Sequence, residues 1–493
     1  EIPGQDGYSA YTIASYGVLF SVIATHLKSR AQLDRLLGAV VLMGFLVGLY
    51  SVLQHYDHDF FNLVESTGGG KSRGSVFMGN PIFAAAVLSM TVPITLMVAA
   101  VNFRDETWGE WGPWARVGQL GMDALFTFLW ALVLSAQILG LMFTYSRGPW
   151  MGTVLALFVF LAIMAISLGW RILIRTVLVL GLSSVLAVAF LHWQGSVSVI
   201  NFGSWLGFVI ALLGLAGTFT ILYVVKNFKR ATVFILAAGA IITIVVASAI
   251  APSALSGLGS ADSTVSSAGV PSTTNQLEGR ISSIKSEVLG GAFGGRTEHW
   301  KVSWTLIKNR PWFKFDDLSF PWLRQLIGYG PDLFRYTYLL ESPPGNWHFY
   351  PLEPDHAHNF FLHQIVEQGI FGGVASLSLF ASAFWVASHH LIFRKRNTDL
   401  MYRLLLFGLV SIIFGRFFEM SVGVARISDL TVLWVLFGLF AALARFDAGR
   451  QEKPESVASL PTELTPLRNR RRASRATSAQ SLSTALMFRL AVV

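Results

Sequence analysis

Residues 82–101 read IFAAAVLSMTVPITLMVAAV, a run of 20 positions without a single charged side chain. A bilayer's hydrocarbon layer is about 30 Å thick and needs about 20 apolar residues in helical form, so this run reads as a membrane span. Ten more runs of similar character follow from the same criterion, at about 8–27, 35–53, 122–145, 149–170, 172–192, 205–225, 231–251, 370–393, 400–420 and 427–445, giving eleven in all. The composition agrees: of 493 residues, 53% are hydrophobic and 13% charged, where soluble chains carry about 25% charged residues. Only helices satisfy their backbone within lipid at this span length, so the expected fold is an all-α, polytopic transmembrane bundle.

Basic residues cluster in alternate short connections: Lys28/Arg30/Arg35, Arg171/Arg175, Lys226/Lys229/Arg230 and Arg394/Lys395/Arg396. The positive-inside bias assigns those turns to the cytoplasm. The Lys- and Arg-free connection Trp193–Ser204, the stretch 54–81 and the long segment 252–369 then face outward. The net charge of +9 belongs to this pattern and to a tail carrying Arg468, Arg470, Arg471, Arg472 and Arg475, which argues against a nucleic-acid partner. An odd number of spans places Glu1 outside, and with no initiator Met the sequence implies native spans upstream of it. The chain divides into spans 1–8 over 1–251, an outer loop over 252–369, spans 9–11 over 370–445 and a basic tail over 446–493. The Ser/Gly/Ala-rich stretch Pro252–Thr274 and the Ser/Thr/Arg-rich tail bury too little apolar area to offset chain entropy, so both are expected to be disordered. Zero cysteines exclude disulfides, thiolate metal sites and a cysteine nucleophile.

Chemistry is expected in the outer loop. From Gly294 it runs GGRTEHWKVSWTLIKNRPW. Thr297 can cap a helix there, Trp300, Trp304 and Ile307 recur on one face, and Asn309, Arg310 and Pro311 stop it. Such a helix suits the headgroup layer, or packs on the protein's own spans. Arg296 at its N-terminus opposes the helix dipole, a placement that favours a nearby anion. Further on, the sequence EPDHAHNFFLHQIVEQGIFGG lets Asp355 or His356 open a helix in which Asn359, His363 and Glu367 fall at spacing four. Polar residues in one stripe at the mouth of a span must line a cavity or pair with one another. Gly369, Gly372 and Gly373 break or tighten that helix.

Three roles compete for the histidines. Asp355, His356 and His358 lack the spacing that would hold a metal, since residues two apart point to different faces. His363 and Glu367 have i,i+4 ligand spacing, for which a hydrogen-bonded pair accounts equally well. His55, Asp57, His58 and Asp59 form a second cluster without fixed ligand geometry. Capping and backbone bonding would occupy His356 and His358 without chemistry. The arginines favour a catalytic role. Arg147 stands between two spans in YSRGP, Arg416 lies late in the tenth span with Glu419 at i,i+3, and a guanidinium at an apolar boundary must pair or meet an anion.

These residues carry a resemblance. His358-Asn359, nine residues, Gly369, two residues and Gly372 match the H-N-x9-G-x2-G pattern of the O-antigen ligase and polymerase superfamily of bacterial membrane glycosyltransferases. Arg73-Gly74 with Asn80-Pro81, Ser146-Arg147-Gly148, and Gly295-Arg296 through Trp300 to Pro311 with Gly328-Tyr329-Gly330 behind it support the match, which covers most of Tyr8 to Arg445. Departures are Pro149 after the usual glycine, Ile82 where a second asparagine is common, and the missing early spans. The resemblance implies a multi-pass enzyme of the bacterial inner membrane, needing neither metal nor cofactor. It would transfer glycan outside the cytoplasm from an undecaprenyl-diphosphate donor to a hydroxyl of a lipid, glycan or protein acceptor. Carried over, the catalytic roles fall on His358, Arg296 and Arg147, and substrate contacts on Asn359, His363, Glu367, Arg73, Arg416 and Arg280. A transporter of anions or lipids is the reading from another class. Transporters place binding residues at the midplane with repeat symmetry, whereas the polar residues here gather at one interface.

Overall fold

The computed structural model describes residues 10–56, 58–61, 73–101, 113–167, 170–193, 296–312, 320–342, 354–393 and 400–451. Among these the chain is all helical. The bundle is formed by α1 (Ala10–His26), α2 (Arg30–His55), α3 (Pro81–Val101), α4 (Pro113–Phe143), α5 (Arg147–Ser167) and α6 (Trp170–Trp193). Three shorter helices follow, α7 (Arg296–Asn309), α8 (Leu323–Ile327) and α9 (Phe334–Tyr338), and then α10 (Phe360–Phe393), α11 (Leu400–Val422) and α12 (Ile427–Gln451). Seven helices among the described residues, α2 to α6, α10 and α11, are long and apolar enough to cross a membrane. The runs expected at 8–27 and 427–445 form helices whose apolar parts are shorter, and those at 205–225 and 231–251 lie outside the described residues. Pro252–Thr274, Arg280 and the tail beyond Gln451 lie outside them as well, while residues 446–451, expected at the start of a disordered tail, extend α12 as helix.

α3 is the axis of the bundle. It is buried along almost its whole length and packs on α2, α4, α5, α6, α11 and α12. Lipid gives apolar helices no hydrophobic reason to associate, so close packing and interhelical hydrogen bonds supply the specificity. Gly48 of α2 meets Gly140 and Ala136 of α4 backbone to backbone, and Gly152 of α5 meets Gly415 of α11 in the same way. Fully buried Gln137 of α4 accepts from the Thr95 hydroxyl of α3 at 2.9 Å and donates to the Val41 carbonyl of α2 at 3.3 Å. One amide thereby fixes the register of three spans. α2 opens with a capping box in which Gln32 N donates to the Ser29 hydroxyl and Ser29 N to the Gln32 side chain.

One end of the bundle is heavily stitched. Gly74 N donates to the Phe143 carbonyl, Ser75 N and Val76 N donate to Gln54 Oε1 at 3.1 and 2.6 Å, and Trp150 Nε1 donates to the Leu141 carbonyl. Asn80 caps α3 by accepting from Ile82 N at 2.9 Å, with Pro81 as first helical residue. The C-termini of α2, α4, α6 and α11 and the N-termini of α3, α5, α10 and α12 meet here. The basic turns Lys28/Arg30 and Arg171/Arg175 lie at the other end.

α10 departs from the expected boundaries. Its helix begins at Phe360, ten residues before the predicted span, with Asn359 rather than Asp355 or His356 as its opening residue. At Gly369 (φ 66°, ψ −160°) the helix breaks. The carbonyls this break frees find donors in the loop: Tyr329 N bonds Val366 O at 3.1 Å and Gly330 N bonds Glu367 O at 2.7 Å. Arg310 reaches Val366 O and Ile365 O at 3.0 and 2.8 Å. Gly328 and Gly369 face each other so closely that a Cβ on either would run into the other's backbone. Gly369 thus separates a short, largely buried helix carrying His363 and Glu367 from the long apolar remainder of α10.

Candidate active site at the stitched end

α7, α8 and α9 pack with the first turns of α10 around a core of Val302, Leu306, Tyr329, Phe334, Tyr338, Ala357 and Val366. The buried face of α7 is His299, Val302, Ser303 and Leu306. Trp304, expected on the apolar face with Trp300 and Ile307, is exposed, and Thr297 lies inside the helix instead of capping it. Arg324 joins the unit from α8: its guanidinium lies 3.8 Å from the Trp312 ring and donates to the Arg310 and Pro311 carbonyls.

His358 stands at the rim of this unit in a left-handed conformation, φ 50°. Its carbonyl accepts from Trp300 Nε1 at 3.2 Å and its ring stacks on His299 at 5.3 Å, while His299 Nδ1 lies 3.0 Å from the Tyr338 hydroxyl. Burial, aided by His299 and the Arg296 guanidinium, pushes the His358 ring down to about 4, so it is neutral at physiological pH. Burial lowers His299 too. The non-glycine residues at positive φ among those described are Val76, Tyr145, Arg310, Asp332 and His358. All five sit in connections at this one end. Left-handed backbone in a β-branched or bulky residue costs free energy and persists only where packing over-determines it, a property of ligand clamps and active sites.

Two further imidazoles lie behind His358. His356 Nδ1 is 3.1 Å from Asp355 Oδ1, His363 Nε2 is 3.3 Å from Glu367 Oε2, and the two rings stack at 4.6 Å. Glu367 also accepts from Phe334 N at 3.0 Å, capping α9. Of the two options the sequence offered for the polar stripe, the structure displays pairing for His363 and Glu367. Asn359, on the same stripe, caps α10 by accepting from Leu362 N at 3.1 Å. Burial takes His356 down to about 4 against the opposing bond to Asp355. Burial works against ionisation of Asp355 as well, yet His356 and Arg426 hold its carboxyl well below the usual range. Among the described residues no three His, Asp or Glu side chains are placed as metal ligands.

Two of the three expected catalytic residues are close together, since the Arg296 guanidinium bears on the His358 ring, and Arg147 stands at the same end of the bundle. Arg296 Nη1 donates to the Val422 carbonyl at the last turn of α11 at 2.8 Å. Arg147 opens α5, and Gly148 and Gly152 beside it face Glu419 of α11. Glu419 and Val422 are one turn apart, about 4.5 Å along the helix axis. Arg73 donates to the Thr144 carbonyl at 3.0 Å and the Ser146 hydroxyl at 3.4 Å, bracing the turn that presents Arg147. Arg416 differs from its expected place at a substrate: it is 2% exposed, and its two terminal nitrogens pair with Glu419 and with Asp429 of α12. The pair with Glu419 is the i,i+3 contact legible in sequence; Asp429 extends it.

Several members of the site had no voice in the sequence reading. Asp429 accepts from Arg426 N at 2.8 Å, and the Arg426 guanidinium pairs with Asp355. ARISD carries the signal that could have exposed the first of these contacts, an acidic residue three positions past the residue that precedes the helix, which closes the first turn. His299 and Tyr338 carry none, because their link to His358 joins segments 39 and 59 residues apart. No family model matches the chain, and no curated protein matches it at a significant level.

Proposed function

We propose that the protein transfers a glycan from an undecaprenyl-diphosphate carrier to an acceptor hydroxyl, outside the cytoplasm at the plasma membrane of a bacterium. The acceptor is a lipid, as in an O-antigen ligase, or in a second version a growing glycan or a protein. The observation that carries this reading is a neutral, conformationally constrained His358 beside Arg296, at the end of an apolar bundle where Arg147 opens a helix. In the proposed step the acceptor oxygen forms a bond to the anomeric carbon as that carbon's bond to the diphosphate breaks. The hydroxyl proton passes to the His358 imidazole, and the electron pair leaves on undecaprenyl diphosphate. Arg147 and Arg296 offset the charge growing on the departing phosphate. Diphosphate bound at Arg296 also cancels part of the field that disfavours imidazolium, so the ring gains proton affinity when the donor is in place.

The test is turnover of reconstituted protein with a lipid-linked glycan. His358→Ala should abolish transfer and leave carrier binding near wild type, whereas Arg296→Ala should weaken both. Wild-type turnover in His358→Ala refutes the base assignment. A reporter fused at Ser263 that scores cytoplasmic refutes the outward orientation.

A further inference from the structure

Four arginines lie in the described part of the α7–α9 unit, and three of them have carbonyl acceptors: Arg296 on Val422, Arg310 on Ile365 and Val366, Arg324 on Arg310 and Pro311. Arg335 differs. It is half-buried on α9, its Nε is closed off from solvent, and among the described residues no carboxylate, carbonyl or hydroxyl accepts from it. A guanidinium keeps its charge at any accessible pH, so it cannot relieve burial by releasing a proton, as a lysine or histidine can.

Its position is informative. Phe334, Thr337 and Tyr338 form the buried face of α9, with Tyr336 and Leu339 exposed. Arg335 stands on the border between these faces, one turn before Tyr338 and on its side of the helix. The Tyr338 hydroxyl meets His299, whose ring stacks on His358. Asp332 and Glu341, the acidic residues flanking α9 in sequence, leave Arg335 unpaired; Glu341 accepts from Asn309 instead. We propose that Arg335 binds a phosphate group of a substrate, at the end of the Tyr338–His299–His358 relay. A planar fork presented to phosphate oxygens forms charge-assisted bonds with a defined orientation. This rests on the glycan-transfer reading and deepens it: the phosphate comes from the diphosphate of the donor or from a phosphorylated acceptor.

Phenylglyoxal labelling of the full chain in nanodiscs, read by peptide mass spectrometry, tests the site without a variant. Inorganic phosphate and farnesyl diphosphate should each slow modification of Arg335 by about tenfold, as occupancy by a charge-assisted pair requires, and farnesol should not. Kinetics then separate the two sources. Arg335→Gln should raise KM about tenfold for whichever substrate carries the phosphate, with kcat within about twofold, and Arg335→Lys should recover part of the loss. Equal labelling with and without both anions overturns the assignment. If transfer activity persists in that case, glycan transfer stands and only Arg335 is reassigned. Protection in a protein that transfers no glycan keeps the phosphate site and removes the reaction.

Discussion

Replacing Gly369 by alanine tests the junction on which the site is built. The residue holds φ 66° and ψ −160°, a combination reached almost only by glycine, so a side chain there costs about 1–3 kcal/mol in backbone strain. The added Cβ would also run into the Leu326 carbonyl and Gly328 N. Relieving that contact requires the 326–330 segment to withdraw, which breaks Tyr329 N to Val366 O and Gly330 N to Glu367 O, each worth about 1 kcal/mol. The expected loss is about 3–5 kcal/mol. Gly79→Ala isolates the strain: it has φ 69°, but a Cβ there meets nothing within 4 Å, so the cost should stay at about 1–2 kcal/mol. Unfolding by SDS, followed by tryptophan fluorescence, ranks the two variants. Hydrogen exchange then reads the Tyr329 and Gly330 amides, whose protection should fall in Gly369→Ala alone. Equal midpoints for the two variants, with those amides still protected, would refute the backbone-to-backbone junction.

Acid should weaken the fold before it touches ordinary carboxylates. His356 and His358 lie near 4 in the fold against 6.5 when unfolded, so the unfolded chain binds more protons across that window. Stability is complete above 6.5 and lost as pH falls, with a ceiling of about 3 kcal/mol per ring at about 1.4 kcal/mol per unit; a melting point flat from pH 7 to 4 argues against it. Asp429→Ala leaves Arg416 buried with one partner fewer and should cost about 3–5 kcal/mol, whereas changing Arg416, Glu419 and Asp429 together to apolar residues should restore most of it in the same SDS titration. Arg296→Gln removes one positive neighbour while burial and His299 remain, so the apparent His358 pKa read from kcat/KM should rise modestly above about 4, and an unchanged profile breaks that coupling. Chelation should leave glycan transfer intact, since two arginines can cover the diphosphate; loss reversed by Mg or Mn would bring His55, Asp57 and Asp355 forward as ligands.

Helix existence was legible because a span announces itself through length and lack of charge, as at Pro81–Val101. The break at Gly369 was half legible. Sequence marks a glycine at the mouth of a span, but the reason only glycine fits is Gly328, 41 residues earlier. The His363–Glu367 pair followed from spacing four, whereas the stack of His363 on His356 did not. Residues seven apart across a helix start have no fixed geometry until the cap at Asn359 sets it. Arg416 illustrates the remaining gap. A guanidinium in an apolar run demands a counter-charge, and the nearest in sequence, Glu419, was correct but incomplete. Asp429 lies on the next helix, and its role depends on how α11 turns into α12.

That turn also explains how a buried ion cluster bears on the half-buried His358. Glu419, Arg416, Asp429, Arg426 and Asp355 run from the interior of α11 through the α11–α12 turn to the rim of α10, and their charges alternate in sign at each step. The Asp429 link to Arg426 is through its backbone N–H, so Asp429 fixes the peptide from which the Arg426 side chain departs. Asp355 receives that guanidinium on one oxygen and His356 on the other. These pairings form together only if α11, α12 and the α10 entrance keep one relative placement, because a slip of one element would leave a buried charge facing apolar side chains. Arg296 adds an independent tie from α7 to the same turn through Val422. The position of His358, two residues past His356, is therefore set by ionic and carbonyl contacts that originate inside the bundle. A rigid placement of this kind is what a base must have if it is to meet a hydroxyl and a departing phosphate within hydrogen-bond reach.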